Sequence, residues 1–278
     1  MLRSFLYVPA HSDRFVARAH ERGADAIILD LEDSVLPDQK ATARAALATA
    51  IPSVRQNGAK VFVRVNADWE MMQLDAIAAC QAGADGLFVP KASNVDGLLK
   101  LSELLTREET GQHRAPMDLV PMIEDPGAVL DARAILSCTP RILGVVTGGE
   151  DLATTMNAQP TPDVLRIPKI MVHLAAKAVG VLSFGLIRTV ADFNDHAGIT
   201  ESIREARTFG FDGATCVHPS VVALLNQGFA PSQEELATAR AMIEAFDARE
   251  TKDGAFLFEG RMVDAPILAR ARKLLALT

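Results

Sequence analysis

Eight short runs rich in Val, Ile, Leu and Phe recur along this chain, each followed by an amphipathic stretch. Their spacing is about 30 residues, the length of one strand-plus-helix unit. The runs predict strands at residues 5–9, 26–32, 61–66, 86–91, 119–124, 142–147, 182–187 and 214–218. The stretches between them predict helices at 13–22, 39–56, 71–82, 95–106, 128–137, 164–179 and 200–209. Gly23, Gly58, Gly83, Gly180 and Gly210 sit just past five of those helices, where a left-handed C-cap favours glycine. A doubly wound open sheet is the competing architecture. It usually has fewer strands and often a glycine-rich first turn. Here that turn reads Pro9-Ala10-His11-Ser12-Asp13, with no GxGxxG. Unit count and even spacing therefore predict an α/β chain with a (β/α)8 TIM barrel over residues 1–230. Beyond it the pattern changes to a C-terminal helical segment, 231–278. A helix runs from Gln233 to about Arg249 behind the cap-like Pro231-Ser232. The polar stretch Glu250-Thr251-Lys252-Asp253-Gly254 and a final basic helix follow.

The chain has 278 residues, 49% of them apolar, enough to bury a large core. A net charge of −7 argues against non-specific nucleic-acid binding, which needs a field of Lys and Arg. Cys80, Cys138 and Cys216 are odd in number and form no CxxC pair. That pattern suits free thiols in a reducing compartment rather than disulfides or a zinc site. The apolar run at residues 5–9 is too short for a signal-peptide core, and no stretch approaches the roughly 20 apolar residues that span a bilayer. These features predict a soluble cytoplasmic protein with no membrane partner.

Barrel strands are buried on both faces, so polar residues within them need a reason. Here they collect at the C-terminal ends, the face on which barrel active sites lie. Strand two ends Asp30-Leu31-Glu32-Asp33, strand three Arg64-Val65-Asn66, strand four in Lys91, strand five in Glu124, and strand eight in His218. Strand six runs into Gly148-Gly149-Glu150-Asp151. By strand alternation Asp30 and Glu32 share one direction, as do Arg64 and Asn66, and Met122 and Glu124. If each set faces inward, carboxylates from strands two, five and six converge and need a cation to coexist. Oxygen donors without a His or Cys cluster favour Mg²⁺, held by Glu124 and Asp151 together with water or substrate oxygens. Plainer readings stand beside this one. Asp125 before Pro126 reads as a helix N-cap. Glu124 could pair with Lys91 or Arg64. Glu150 is a rival ligand, but as Asp151's neighbour it should point elsewhere. His218 can be a structural histidine satisfied by its neighbours. The cluster of Glu103, Arg107, Glu108 and Glu109 reads as a solvated helix end. Arg3, Arg14 and Lys91 are the basic residues nearest the predicted mouth.

In order along the chain stand Arg3-Ser4-Phe5-Leu6-Tyr7-Val8-Pro9, Asp30-Leu31-Glu32-Asp33-Ser34-Val35, Val63-Arg64-Val65-Asn66, Val89-Pro90-Lys91, Ile123-Glu124 and Gly148-Gly149-Glu150-Asp151-Leu152. This ordered set resembles the citrate lyase β-subunit-like proteins of the HpcH/HpaI aldolase superfamily, which includes malyl-CoA, citramalyl-CoA and citryl-CoA lyases. The resemblance implies a Mg²⁺-dependent carbon–carbon lyase acting on a 3-hydroxyacyl thioester and a 2-oxo acid. It implies metal ligands at Glu124 and Asp151, and a thioester- and substrate-contacting arginine at Arg64. Arg14, Glu32 and Asp33 are implied as further substrate-site residues. The segment Gly260-Arg261-Met262-Val263-Asp264-Ala265-Pro266 resembles the family's C-terminal segment. It implies that Asp264 serves as acid/base in a neighbouring subunit, within a homotrimer or hexamer. Two departures bear on the acyl partner. His218-Pro219-Ser220-Val221 stands where many relatives read His-Pro-x-Gln, and Ser183-Phe184-Gly185-Leu186-Ile187-Arg188 replaces an Asp-Gly pair on strand seven. The same resemblance keeps three alternatives open: a malyl-CoA-type thioesterase, a CoA-independent 2-oxo acid aldolase, and a carrier-dependent β-subunit of a citrate lyase complex.

Overall fold

The computed structural model describes residues 1–249 and 254–276. Eight strands, β1 (Ser4–Pro9), β2 (Ala26–Asp30), β3 (Lys60–Arg64), β4 (Gly86–Val89), β5 (Asp118–Ile123), β6 (Gly144–Thr147), β7 (Leu182–Phe184) and β8 (Ala214–Cys216), form one sheet. From β1 to β7 each pairs in parallel with the next, and β8 pairs with β1. The circuit closes where Phe184 bridges to Gly213, with the Gly185 N–H donating to the Gly213 carbonyl at 2.9 Å. Helix α1 (Asp13–Ala19) follows β1, α2 (Lys40–Val54) follows β2, α3 (Trp69–Gln81) follows β3 and α4 (Val95–Gln112) follows β4. The short α5 (Pro126–Leu130) and α6 (Ala132–Ser137) follow β5, and α7 (Gly149–Thr155) and α8 (Pro162–Val179) follow β6. Finally α9 (His196–Phe209) follows β7 and α10 (Val222–Phe229) follows β8. This is the expected (β/α)8 barrel.

Strand alternation builds two cores. Inward residues Phe5, Ile28, Phe62, Phe88, Val120 and Phe184 fill the barrel. The Phe5 ring lies 4.6 Å from Phe184 and 5.6 Å from both Phe62 and Phe88, in tilted or edge-on contacts. Outward residues such as Leu6, Val8, Ile27, Leu29, Val61 and Val63 join the helices in a second, larger core. The aromatic layer is a floor beneath the space at the C-terminal ends of the strands.

Several sequence expectations are corrected. Strands two, three, four, five, seven and eight stop earlier than their apolar runs, at Asp30, Arg64, Val89, Ile123, Phe184 and Cys216. Periodicity marks burial, not where the hydrogen-bond ladder ends. Helix α4 runs to Gln112, and Glu109 is buried, not solvated. Its carboxylate meets Arg141 at 2.6 Å and accepts the Met117 N–H. Asp125 caps α5 as expected, accepting the Ala128 N–H at 2.9 Å.

The chain divides into two compact units, residues 2–229 and, with Met1, residues 230–278. The second unit has α11 (Gln233–Asp247), opened by a capping box between Ser232 and Glu235, and α12 (Ala265–Leu275). Between them an antiparallel hairpin, β9 (Phe256–Phe258) with β10 (Arg261–Val263), adds strand to a segment expected to be helical. Of the polar stretch expected at 250–254, residues 250–253 lie outside the described residues. Among the described residues no helix is long and apolar enough to cross a membrane. The cysteines are free thiols.

Candidate active site at the barrel mouth

Above the aromatic floor, a pocket of about 430 Å³ is lined by the last inward residues of several strands. Arg64 ends β3 beside Asp30, its register partner at the end of β2. The pair is bidentate: Arg64 Nε and Nη2 donate to the two Asp30 carboxylate oxygens at 2.7 and 2.8 Å. Asp30 is 2% exposed and also accepts the Glu32 and Ser34 backbone N–H groups at 2.9 and 3.1 Å. It therefore orients the guanidinium and shapes the loop after β2. On its outer edge Arg64 Nη1 meets Glu32 at 2.9 Å and Asp33 at 2.8 Å, while its face lies over the Tyr7 ring. Burial pushes the Asp30 carboxyl up, but Arg64 outweighs it and holds the group below its ordinary value. Glu32 goes the other way, to about 7, because burial and the neighbouring Asp33 and Asp30 outweigh Arg64.

Glu124 stands one residue past β5 and is 5% exposed. It forms no ion pair with Lys91 or Arg64 in this arrangement. Instead Oε2 accepts the Lys91 backbone N–H at 2.8 Å, and Lys91 adopts a left-handed conformation, φ 50°. Burial pushes the Glu124 carboxyl up to about 7; the Lys91 N–H opposes this, and Asp151 and Glu32 reinforce it. Asp151 sits in the first turn of α7, exposed on the pocket rim. The turn between β6 and α7 allows this approach only because residue 148 is glycine. A Cβ there would stand 2.6 Å from Glu124 Cγ and Oε1. Glu150 lines the same pocket as its neighbour and accepts a hydrogen bond from the Thr189 hydroxyl.

Other expected residues are placed elsewhere. Asn66 does not face the pocket: the chain has left β3, and its side chain donates to buried Asp75 of α3 at 2.7 Å. Arg3 is not at the mouth. It stands just before β1, at the opposite end of the barrel, in an ion pair with Asp25 at 2.7 Å. Arg14 is exposed on α1, outside the first pocket. It borders a second one, of about 690 Å³, with Phe15, Arg22 and His218. The two pockets share Tyr7, Pro9 and Val217. His218 is held by its neighbours, touching the Ser220 hydroxyl at 2.7 Å and stacking on Phe193. Asp264 belongs to the second unit, where it is the N-cap of α12 and accepts the Ile267 N–H at 3.2 Å.

In the sequence Asp30 stands only among the converging carboxylates, not as the partner that fixes Arg64, and Lys169 carries no expected role. Lys169 lies in α8 within the buried stripe Leu165, Lys169, Val172 and Ala176. A lysine in such a stripe was the available signal. The residue, 5% exposed, borders the pocket, and burial pushes its pKa down to about 8 against the pull of Glu150. Among the described residues no cluster of three or more His, Cys, Asp or Glu side chains could hold a metal alone. A cation here would rest on the two carboxylates of Glu124 and Asp151 and complete its shell from water or ligand. The donor set fits a hard divalent ion: only oxygens are offered, and Glu124 is a buried acid in no direct ion pair, its carboxyl pushed up by burial.

Fold and pocket together define a TIM-barrel protein whose chemistry is gathered over the C-terminal ends of its strands. Its residues 3–219 match the family model described as HpcH/HpaI aldolase/citrate lyase, and the chain belongs to that family. It is 30% identical to the citrate lyase subunit beta of Escherichia coli (strain K12), across 99% of this chain and 92% of that one. It is 33% identical to a (3S)-malyl-CoA thioesterase of Cereibacter sphaeroides, across 99% of this chain and 93% of that one. The crystal structure of CitE from Mycobacterium tuberculosis, in complex with magnesium, acetoacetate and coenzyme A, superposes with a TM-score of 0.80. The identity is 31%, over 99% of this chain and 97% of that one.

Proposed function

We propose that this protein is a Mg²⁺-dependent carbon–carbon lyase that joins or splits a 2-oxo acid and an acyl-CoA through a 3-hydroxyacyl thioester. The observation that carries this reading is the pocket's division of charge. A pair of carboxylates, Glu124 and Asp151, lies near a guanidinium that Asp30 holds in a fixed plane. Glu124 and Asp151 would hold the ion. When bound, Mg²⁺ supplies Lewis-acid polarisation of the 2-oxo oxygen. Arg64 meets the negative oxygen of the thioester enolate, a fixed donor whose value is realised as charge develops. Glu32 and Asp33 hold the outer edge of that guanidinium and face the water and substrate around it. Arg14 and the second pocket receive the thioester's carrier arm, which passes the shared residues Tyr7, Pro9 and Val217. That CitE was crystallised with magnesium, acetoacetate and coenzyme A supports the choice of ligands in this reading.

In the condensation direction a base removes a proton from the acyl methyl carbon, the enolate carbon attacks the 2-oxo carbon, and the carbonyl π electrons pass to its oxygen, which takes up a proton to become the 3-hydroxyl group. We assign that base to Asp264 of a neighbouring copy in a homotrimer or hexamer. Asp264→Asn is the informative substitution, because Asn is as good an N-cap as Asp and leaves α12 intact. Turnover is expected to fall by about 10²–10⁴-fold with Mg²⁺ affinity unchanged. Near-wild-type turnover would remove Asp264 from the reaction. Gly148→Ala places a Cβ against Glu124 and is expected to weaken Mg²⁺ binding by about 10–100-fold, read by calorimetry.

The defining experiment supplies malyl-CoA, citramalyl-CoA and citryl-CoA with Mg²⁺ and identifies the products. A 2-oxo acid plus an acyl-CoA supports the lyase. Free CoA with an intact hydroxy acid would instead make it a thioesterase, a reading that the Cereibacter relative favours. Turnover only of carrier-protein thioesters would make it a β-subunit of the kind named in Escherichia coli.

A further inference from the structure

The connection from β7 to α9 is tied down at three points, and its middle forms one wall of the pocket. From below, Lys169 Nζ donates to the carbonyls of Leu186 and Arg188, at 2.8 and 2.9 Å. From the side, the Thr189 hydroxyl donates to Glu150, one residue before Asp151. Across the loop, Arg188 meets Asp195 at 2.9 Å and Asp192 at 3.4 Å. Between these ties Thr189 and Val190 line the pocket alongside Glu150 and Asp151. Gly149 makes the arrangement compact: a Cβ there would stand 2.9 Å from Leu165 and 3.6 Å from the Lys169 side chain. So α7, which carries Asp151, and α8, which carries Lys169, are packed at the closest distance.

Burying an ammonium is costly, and this one spends its hydrogen bonds on two loop carbonyls rather than on a carboxylate. Of the other apolar walls, Tyr7, Pro9, Met122 and Val146 lie on strands, where the ladder fixes their position, and Val217 stands one residue past β8. Thr189 and Val190 have no ladder. Their position relative to Asp151 depends on Lys169 and Glu150. Val190 is also an apolar side chain left 38% exposed at the pocket rim, surface that an alkyl substituent would cover.

We propose that Thr189 and Val190 are the specificity-determining wall for the alkyl substituent of the 2-oxo acid, and that Lys169 and Glu150 are positioning residues that set where this wall stands. The inference rests on the 2-oxo acid reading above. Bulk added at residue 190 narrows the space beside Asp151. Release of either tie lets the wall withdraw, so that discrimination by size is lost while the ion's carboxylates stay in place.

The test is a calorimetric titration with glyoxylate, pyruvate and 2-oxobutyrate in the presence of Mg²⁺, which requires no turnover. Val190→Phe is expected to shift the affinity ratio of 2-oxobutyrate to glyoxylate against the larger acid by about tenfold or more, since one methylene in a closed pocket is worth about that much. Lys169→Met and Thr189→Val should each bring the three affinities closer together, with Mg²⁺ affinity measured alone unchanged, and Lys169→Arg should restore part of the discrimination. Thr189→Val preserves shape and serves if Lys169→Met does not fold. Leu165→Ala loosens the same helix without touching a tie, so it should lower Tm and leave the ratios unaltered. Binding of all three acids to wild type with ratios unmoved in Val190→Phe and Thr189→Val would overturn the proposal alone. If none of the acids binds to wild type, the 2-oxo acid reading fails and this inference fails with it.

Discussion

Glu124→Gln is expected to abolish Mg²⁺-dependent turnover, lowering it by about 10²–10³-fold or more, while making the metal-free protein more stable at pH 8. Both effects come from one carboxylate. The amide retains an oxygen that can accept the Lys91 N–H, so the local fold survives. It carries no negative charge, so half of the anionic pair is lost. The stability effect follows from linkage. The Glu124 carboxyl titrates at about 7 in the folded protein, against 4.5 ordinarily. Between those values the folded state holds a proton that the unfolded chain has released, so metal-free stability falls as pH rises through this window. Above pH 7 the whole cost applies, up to about 3 kcal/mol, and Gln removes it. Mg²⁺ has the opposite dependence. It binds the ionised carboxylate, so its rise in Tm should be large at pH 8 for wild type, smaller at pH 6 where protons compete, and absent in Glu124→Gln. Calorimetric melts at the two pH values, with and without Mg²⁺, read all three. An equal rise in both proteins would place the ion elsewhere.

Glu124 also shows how far a sequence can be read. The barrel was legible because its cause is local and repeated: period-two strands, helices between them, and glycines to reverse the chain. All five glycines expected past helix ends, from Gly23 to Gly210, have positive φ. The convergence of Glu124, Asp151, Glu32 and Arg64 followed from topology, since a barrel brings every strand's C-terminal end to one rim. What was not legible depends on where the ladder stops. Arg64 and Asn66 are two residues apart, and alternation gives them one direction. Yet β3 ends at Arg64, so Asn66 turns to Asp75 in the helical layer. Glu109 looks like one more charge on a solvated helix end, but its partner Arg141 is 32 residues away in sequence. Lys169 was hidden for the same reason: its acceptors are backbone carbonyls of a distant loop, and a carbonyl leaves no mark in the sequence. The hairpin at residues 256–263 is too short for its alternation to stand out, and its turn is made by Glu259 and Gly260, both at positive φ.

Substitutions at Arg64 and Asp30 should separate catalysis from stability, since in the proposed reading one ion pair serves both. Arg64→Ala is expected to lower turnover by about 10²–10³-fold, the cost of removing one donor from a developing oxyanion. It should also destabilise the protein by about 3–5 kcal/mol, because Asp30 is left charged in a site only 2% exposed. Arg64→Lys restores charge but not the two parallel hydrogen bonds, and it cannot reach Asp30, Glu32 and Asp33 together. It should recover stability more than activity. The double variant Arg64→Met, Asp30→Asn removes both buried charges, while the Asn can still accept a backbone N–H from the loop after β2. Its stability is expected to exceed that of Arg64→Ala, with activity no higher. Urea unfolding and steady-state kinetics on the same four proteins resolve the two effects. If stability and activity instead recover together in the double variant, Arg64 is a structural cation, and the oxyanion must be met by another donor of the same pocket. Lys169 would be the first to test, because it is the other buried cation on that rim and its two known acceptors belong to a loop that could release them.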